Sequence, residues 1–248
     1  MKRIISVAAF TAIALSILGT NAFGQSRTRE DVLNEIASKR AELQVLEDQF
    51  LAPAKEDRAA YAEFLRQPDT GLIRLVPRDV YESDVYKKNR KTLTIRGGGA
   101  YYSFTHLTHE YGYGNDIGLD HGILSVGFAG ADYGILTDLG DVPLEEIVLE
   151  HPSVSFIAEY SVPTAEPQAR LEYRRFLTGT TIDNALYKST LPAVPGRTYL
   201  LRSIGYDVSD VIVAMRLVRK DDDGSVIIAW KLLKKYPKPQ LARGETKP

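Results

Sequence analysis

The run Val211-Ile212-Val213-Ala214-Met215 constrains the fold more than any other stretch, because both of its alternating faces are apolar. Successive side chains of a strand point to opposite faces, so such a run belongs inside a sheet that is covered on both sides. A second sheet or helices can provide the cover. Strand-like runs at 198–204, 208–219 and 226–234 place this segment in the middle of a C-terminal meander. Lys220-Asp221-Asp222-Asp223-Gly224 supplies the second turn, with Asp-Gly as the hairpin signal. Trp230 shares a strand face with Ile228 and Leu232, which predicts a core position.

Further β-prone runs occur at 72–76, 92–96, 100–107, 123–128 and 154–160, punctuated by Gly, Asn, Asp or Pro. Residues 141–149 suggest a short helix capped by Asp141. Residues 165–177 fit either a helix opened by Pro167 or an alternating strand.

Ahead of these strands, residues 28–50 read as an amphipathic helix. Thr28-x-x-Asp31 resembles a capping box, with Asp in place of the usual Glu or Gln. Ile36, Leu43 and Phe50 recur every seven residues, a spacing that suits a coiled-coil seam, although Lys39 and Arg40 interrupt it. Leu51-Ala52-Pro53 ends this helix and a second one fits residues 54–66, before Gln67-Pro68-Asp69-Thr70-Gly71 stops it. The fold class expected is α+β: an N-terminal helical hairpin, then a mostly antiparallel β domain built as a sandwich or a partly open barrel.

At the start of the chain, Lys2 and Arg3 precede an uncharged apolar stretch from Ile4 to Leu18, and small residues lead up to Gly24. This is the pattern of a secretory signal peptide cleaved near Gly24, and its core is too short for a comfortable bilayer span. The expected organisation is a signal at 1–24, a helical appendage at 25–71, a β-rich domain at 72–236 and a flexible tail at 237–248. The expected location is the periplasm or the outside of a bacterial cell, with no membrane span in the mature chain. Loss of Lys2 and Arg3 with the signal leaves 29 basic against 32 acidic residues, so no basic excess exists to attract nucleic acid. The absence of cysteine removes thiolate catalysis, cysteine zinc sites, iron–sulfur clusters and a lipidated N-terminus.

One segment is unlike the rest. Residues 97–140 hold 11 of the 19 glycines and three of the four histidines, with aromatics interleaved. Tyr101, Tyr102, Tyr111, Tyr113 and Tyr133 are the candidate ligand-binding residues, because aromatics mixed with polar groups can form a face for sugars or other rings. Equally, a glycine-rich meander can use tyrosines to cover the bends of a twisted sheet. His106, His109, Glu110, Asp116 and His121 are the candidate metal ligands, with Asp120 beside them, all within 16 residues. Their order does not match the H-E-x-x-H of zinc proteases, and an i, i+3 pair on a strand points to opposite faces. No other cofactor is implied.

The remaining motifs fail on context. Gly97-Gly98-Gly99 lacks the Lys and following helix of a phosphate loop. Asp69-Thr70-Gly71 is a single copy of a triplet that aspartic proteases need twice, so it reads as a helix-to-strand turn. Ser125 lacks the glycine spacing of a nucleophile elbow, and Asp221-x-Asp223-Gly224 lacks the remaining ligands of a calcium loop.

Three functions follow from different classes. The first is an exported, non-catalytic module that binds a small molecule, a saccharide or an envelope protein through the Gly/Tyr-rich segment. The second is a metal-dependent hydrolase of envelope or extracellular polymers. The third is a structural homo-oligomer assembled through the N-terminal helix, which requires Ile36, Leu43 and Phe50 to be exposed on the monomer.

Overall fold

A computed structural model of the chain describes residues 27–79, 97–109, 111–112, 114–128 and 130–242. The expected signal at 1–24, the strand expected at 92–96, Glu110 and Tyr113 lie outside the described residues. By compactness the chain divides into residues 1–41 and 42–248, the boundary falling inside the first helix.

That helix, α1, runs Arg29–Leu51. Its start is capped reciprocally: the Asp31 carboxylate accepts the Thr28 backbone N–H at 2.9 Å, and the Thr28 hydroxyl accepts the Asp31 N–H at 3.1 Å. These bonds to Thr28 hold the Asp31 carboxyl below its ordinary range. Val32, Ile36, Leu46 and Phe50 are exposed, while Leu43 is half-buried. Pro53 follows the helix, and the second helix is shorter than expected: α2 covers Lys55–Ala60, and a separate 3-10 turn covers Phe64–Arg66.

The rest of the chain is α+β and mostly antiparallel. A five-stranded sheet holds β1 (Thr70–Leu75), β5 (Tyr133–Gly140), β9 (Thr198–Gly205), β10 (Ser209–Lys220) and β11 (Val226–Lys235), in the order β1-β11-β10-β9-β5. The meander is thus β9–β10–β11, and β10 is the middle strand. A four-stranded sheet, β2-β3-β4-β8, is made of Tyr101–Tyr102, Ile117–Asp120, Ile123–Ser125 and Thr190–Pro192. A small hairpin pairs β6 (Thr180–Ile182) with β7 (Ala185–Tyr187).

Both kinds of cover are present on the central sheet. Val211, Val213 and Met215 pack with Ile117, Leu119 and Leu124 of the smaller sheet. Ile212 and Ala214 pack on the other side with Ile157 and Phe176. These last two come from α3 (Ser155–Glu159) and α4 (Glu166–Thr178). The expected strand at 154–160 is therefore a helix. His151 accepts the Ser153 N–H, Pro152 opens the first turn, and Val154 and Ile157 fall three apart on one buried face. Residues 165–177 are helical, as the Pro167 reading required, and 141–149 contribute only a 3-10 turn at Leu144–Glu146. Residues 237–242 are held to the domain: Pro239 O accepts the Asp207 N–H at 2.8 Å, and Thr164 O accepts the Ala242 N–H.

The two sheets join on one side through a bridge between Leu136 and Lys188. On the other side β1 is an edge strand among the described residues, whose arrangement is a partly open barrel. Two bonds pin the upper end of this seam: the Val76 N–H to Gly99 O at 3.1 Å and His109 Nε2 to Arg74 O at 3.0 Å. Toward Asp69 the seam opens.

Candidate functional site

The open end of the seam is a cleft of about 610 Å³. One wall is β1 from Asp69 to Ile73, another is Trp230 and Leu232 on β11, and the third is Tyr102, Phe104 and Leu107. Gly71 stands directly opposite Trp230 in the β1–β11 register. A Cβ at position 71 would lie 2.5–2.6 Å from the indole, so only glycine lets the ring lie against β1. Trp230 is 4% exposed, and its Nε1 is buried with no hydrogen-bond partner among the described residues. A buried indole N–H normally finds an acceptor, and leaving one unmade costs on the order of 1–3 kcal/mol.

The opposite wall is a tight turn. Ser103 and Thr108 bridge, and the Leu107 N–H reaches Ser103 O at 2.8 Å. Leu107 adopts φ 55° and is 63% exposed, a left-handed leucine presented to solvent at the lip of the cleft. Asp116 sets this turn from behind. Its carboxylate accepts the Phe104 N–H at 2.7 Å and the Ser103 hydroxyl at 3.4 Å. Burial pushes the Asp116 carboxyl up, against the pull of those bonds. The Phe104 ring lies 5.1 Å from Trp230 and 5.3 Å from Tyr102. Burial raises the Tyr102 phenol to about 12, with the charge of Asp116 adding to it, so it remains a neutral hydroxyl. The rim is polar: Arg58, Asp69 and Lys235 are exposed, with Thr70 and Thr105 between them.

The expected tyrosines are spread over three places. Tyr102 lines the cleft. Tyr101 and Tyr111 meet at 4.5 Å with Phe128 beside them, next to a second cleft of about 280 Å³ that Tyr111, Asp132 and Ser203 help to line. Tyr133 is in the core on the helical side, where its hydroxyl meets Tyr160 at 2.8 Å and Tyr160 donates to Glu172. Burial drives both phenols well above their ordinary range.

Among the described residues the metal candidates do not converge as a set. His109 Nε2 faces a carbonyl, which only accepts, so the proton sits on Nε2 and the ring pins the seam. Asp116 is committed to the 103–104 turn. His106 packs beside Gly114, where a Cβ would come within 2.9 Å of its ring. Among the described residues the metal-type side chains that do converge are His121, Asp120 and Asp79, their ligand atoms within 4.8 Å of one another. Within that trio Asp120 meets His121 Nδ1 at 2.6 Å, and Asp79 accepts the His121 backbone N–H at 3.3 Å. The imidazole is largely exposed and its Nδ1 is already met by Asp120, so the trio carries no metal assignment. Ser125 is a residue of β4, and Asp69 precedes β1 at a turn with φ 57°.

Sequence reasoning placed Trp230 in the core, where the structure has it, and did not foresee the cleft beside it. The available signal was Gly71, a glycine adjoining the strand expected at 72–76, since a glycine in a strand marks a close approach by another group. Its partner across the sheet is a tertiary fact. Comparison with protein-family models, with curated proteins and with solved structures finds no match to this chain. No helix among the described residues is long and apolar enough to cross a membrane.

Proposed function

We propose that the protein is an exported, non-catalytic binding module whose ligand occupies the cleft between β1, Trp230 and the turn at 102–107. The observation that carries this reading is the buried, unpartnered indole N–H of Trp230 beside an aromatic-walled cleft with a polar rim. Concave sites of this volume, apolar within and holding a few placed polar groups, are the usual form of ligand sites. The Gly/Tyr-rich segment supplies one wall through Tyr102, Phe104 and Leu107. The basic start and apolar core at 2–18 support export.

Trp230 is the only tryptophan of the chain, so its fluorescence reports on the cleft alone. Titration with oligosaccharides and with peptides is expected to shift its emission saturably for one of the two classes. A ligand that raises the melting temperature without moving the emission would place binding elsewhere and sink this reading.

Association through α1 is the second reading, favoured by the exposure of Ile36 and Phe50, although Leu43 of the same heptad spacing is half-buried. It requires a dimer or higher assembly by light scattering at micromolar protein, and Ile36→Lys to return it to a monomer. A wild-type monomer across that range rejects it.

A further inference from the structure

We infer that the open edge of β1 at Thr70 and Leu72 is a strand-addition site that takes an extended peptide segment of another protein. This rests on the proposed binding role of the cleft and names its ligand class. The argument starts from register. Leu232 N–H donates to Asp69 O at 2.8 Å, which makes 69 and 232 a hydrogen-bonded pair. In an antiparallel ladder such pairs alternate, so Gly71, Ile73 and Leu75 spend their backbone groups on Trp230, Ile228 and Val226. The N–H and C=O groups of Thr70, Leu72 and Arg74 then point away from the sheet. Two bonds at the pinned end agree with this phase: Arg74 O meets the His109 ring, and the Val76 N–H reaches Gly99 O.

Below that point the outward groups of Thr70 and Leu72 meet no backbone partner among the described residues, and both residues line the cleft. An exposed edge of this kind is a template for another strand, and proteins normally blunt it. Among the described residues it is left open beside apolar walls. A peptide strand laid along it places alternate side chains toward Phe104 and Trp230. The other side chains face the rim. There Arg58 and Lys235 outnumber Asp69, which favours acidic flanks on the peptide. Main-chain bonds give the affinity in this mode, so it tolerates different sequences with the same alternation.

The test uses an acetylated, amidated hexapeptide of four alternating leucines and threonines between terminal glutamates. Two controls carry N-methyl groups on the leucines or on the threonines, and chitotetraose serves as a saccharide control. The readout is Trp230 emission. Because alternate residues of a strand face opposite edges, one N-methyl set blocks pairing and the other does not. The unmodified peptide is expected to bind, one methylated peptide to lose at least about tenfold in affinity, and the other to stay within about threefold. Equal loss from both methylations overturns strand addition, as does no emission change up to about 1 mM peptide. If chitotetraose shifts the emission while the peptide does not, the binding role survives and the peptide inference falls. If neither shifts it, both fall.

Discussion

Replacing Asp210 by asparagine is expected to destabilise the fold by about 3–5 kcal/mol, because it leaves a buried guanidinium without its counter-charge. Arg202 on β9 and Asp210 on β10 are 3% and 4% exposed and meet through two parallel bonds, Nε to Oδ1 at 2.8 Å and Nη2 to Oδ2 at 2.7 Å. The same guanidinium donates to Ile157 O and Tyr160 O, both at 2.8 Å, and stacks 4.2 Å from the Tyr236 ring. It therefore ties the end of α3 to the central sheet. A domain of this size loses roughly 2–4 °C of melting temperature per kcal/mol, so a fall of roughly 6–20 °C is expected in calorimetry. Replacing both residues by methionine and leucine is expected to recover only part of the loss: no uncompensated charge remains, but Ile157 O and Tyr160 O lose their donor. A single Asp210→Asn variant within about 1 kcal/mol of wild type would show that the pair is not desolvated as its burial implies.

The second large effect is expected from pH. Desolvation holds His109 down to about 4 from its ordinary 6.5, although its bond to Arg74 O and the charge of Asp48 pull the other way. In the folded chain the ring is neutral at pH 7, while the unfolded chain takes up a proton as the pH falls below 6.5. The stability contributed by the neutral ring is thus complete above pH 6.5 and is lost as the pH falls toward 4. The interval corresponds to about 2 kcal/mol by pH 5 and about 3 kcal/mol by pH 4. Urea unfolding of wild type and His109→Gln at pH 8 and pH 5 isolates this contribution from that of the carboxylates. Glutamine keeps an N–H for Arg74 O and does not titrate. The stability gap between the two proteins is expected to shrink by about 2 kcal/mol on going to pH 5, and a gap that stays constant would mean that the ring is already charged or solvated. Because His109 pins the seam that ends in the cleft and the folded ring stays neutral down to about pH 4, ligand affinity is expected to hold over that interval and to weaken only as the pH falls through 4.

Short-range pattern carried the meander and the Thr28–Asp31 cap, each of which rests on residues within a turn or a strand of one another, and left 165–177 open between helix and strand. It failed at 154–160, where Val, Phe and Ile suit a strand by propensity but Val154 and Ile157 are needed on one face of a helix. It also overextended the strand at 100–107. There, Asp116 takes the Phe104 N–H and folds the chain into a turn, a partner 12 residues away that no local pattern announces. The same distance problem dispersed the candidate site: Tyr102 lines the cleft, Tyr133 went to the core, and His109 became a structural pin.

The sequence by itself determined that the middle strand of the meander is covered on both faces, because alternation of side chains is a property of the strand alone. It also determined that residues 97–140 bend sharply, because glycine permits backbone conformations that other residues resist. Tertiary structure alone decided which layer covers each face, and that the barrel closes at Leu136 and Lys188 but, among the described residues, stays open beside β1. It also decided that Gly71 lies under Trp230. Those outcomes depend on register between strands some 160 residues apart in sequence, and register is settled by the packing of whole faces rather than by any one segment.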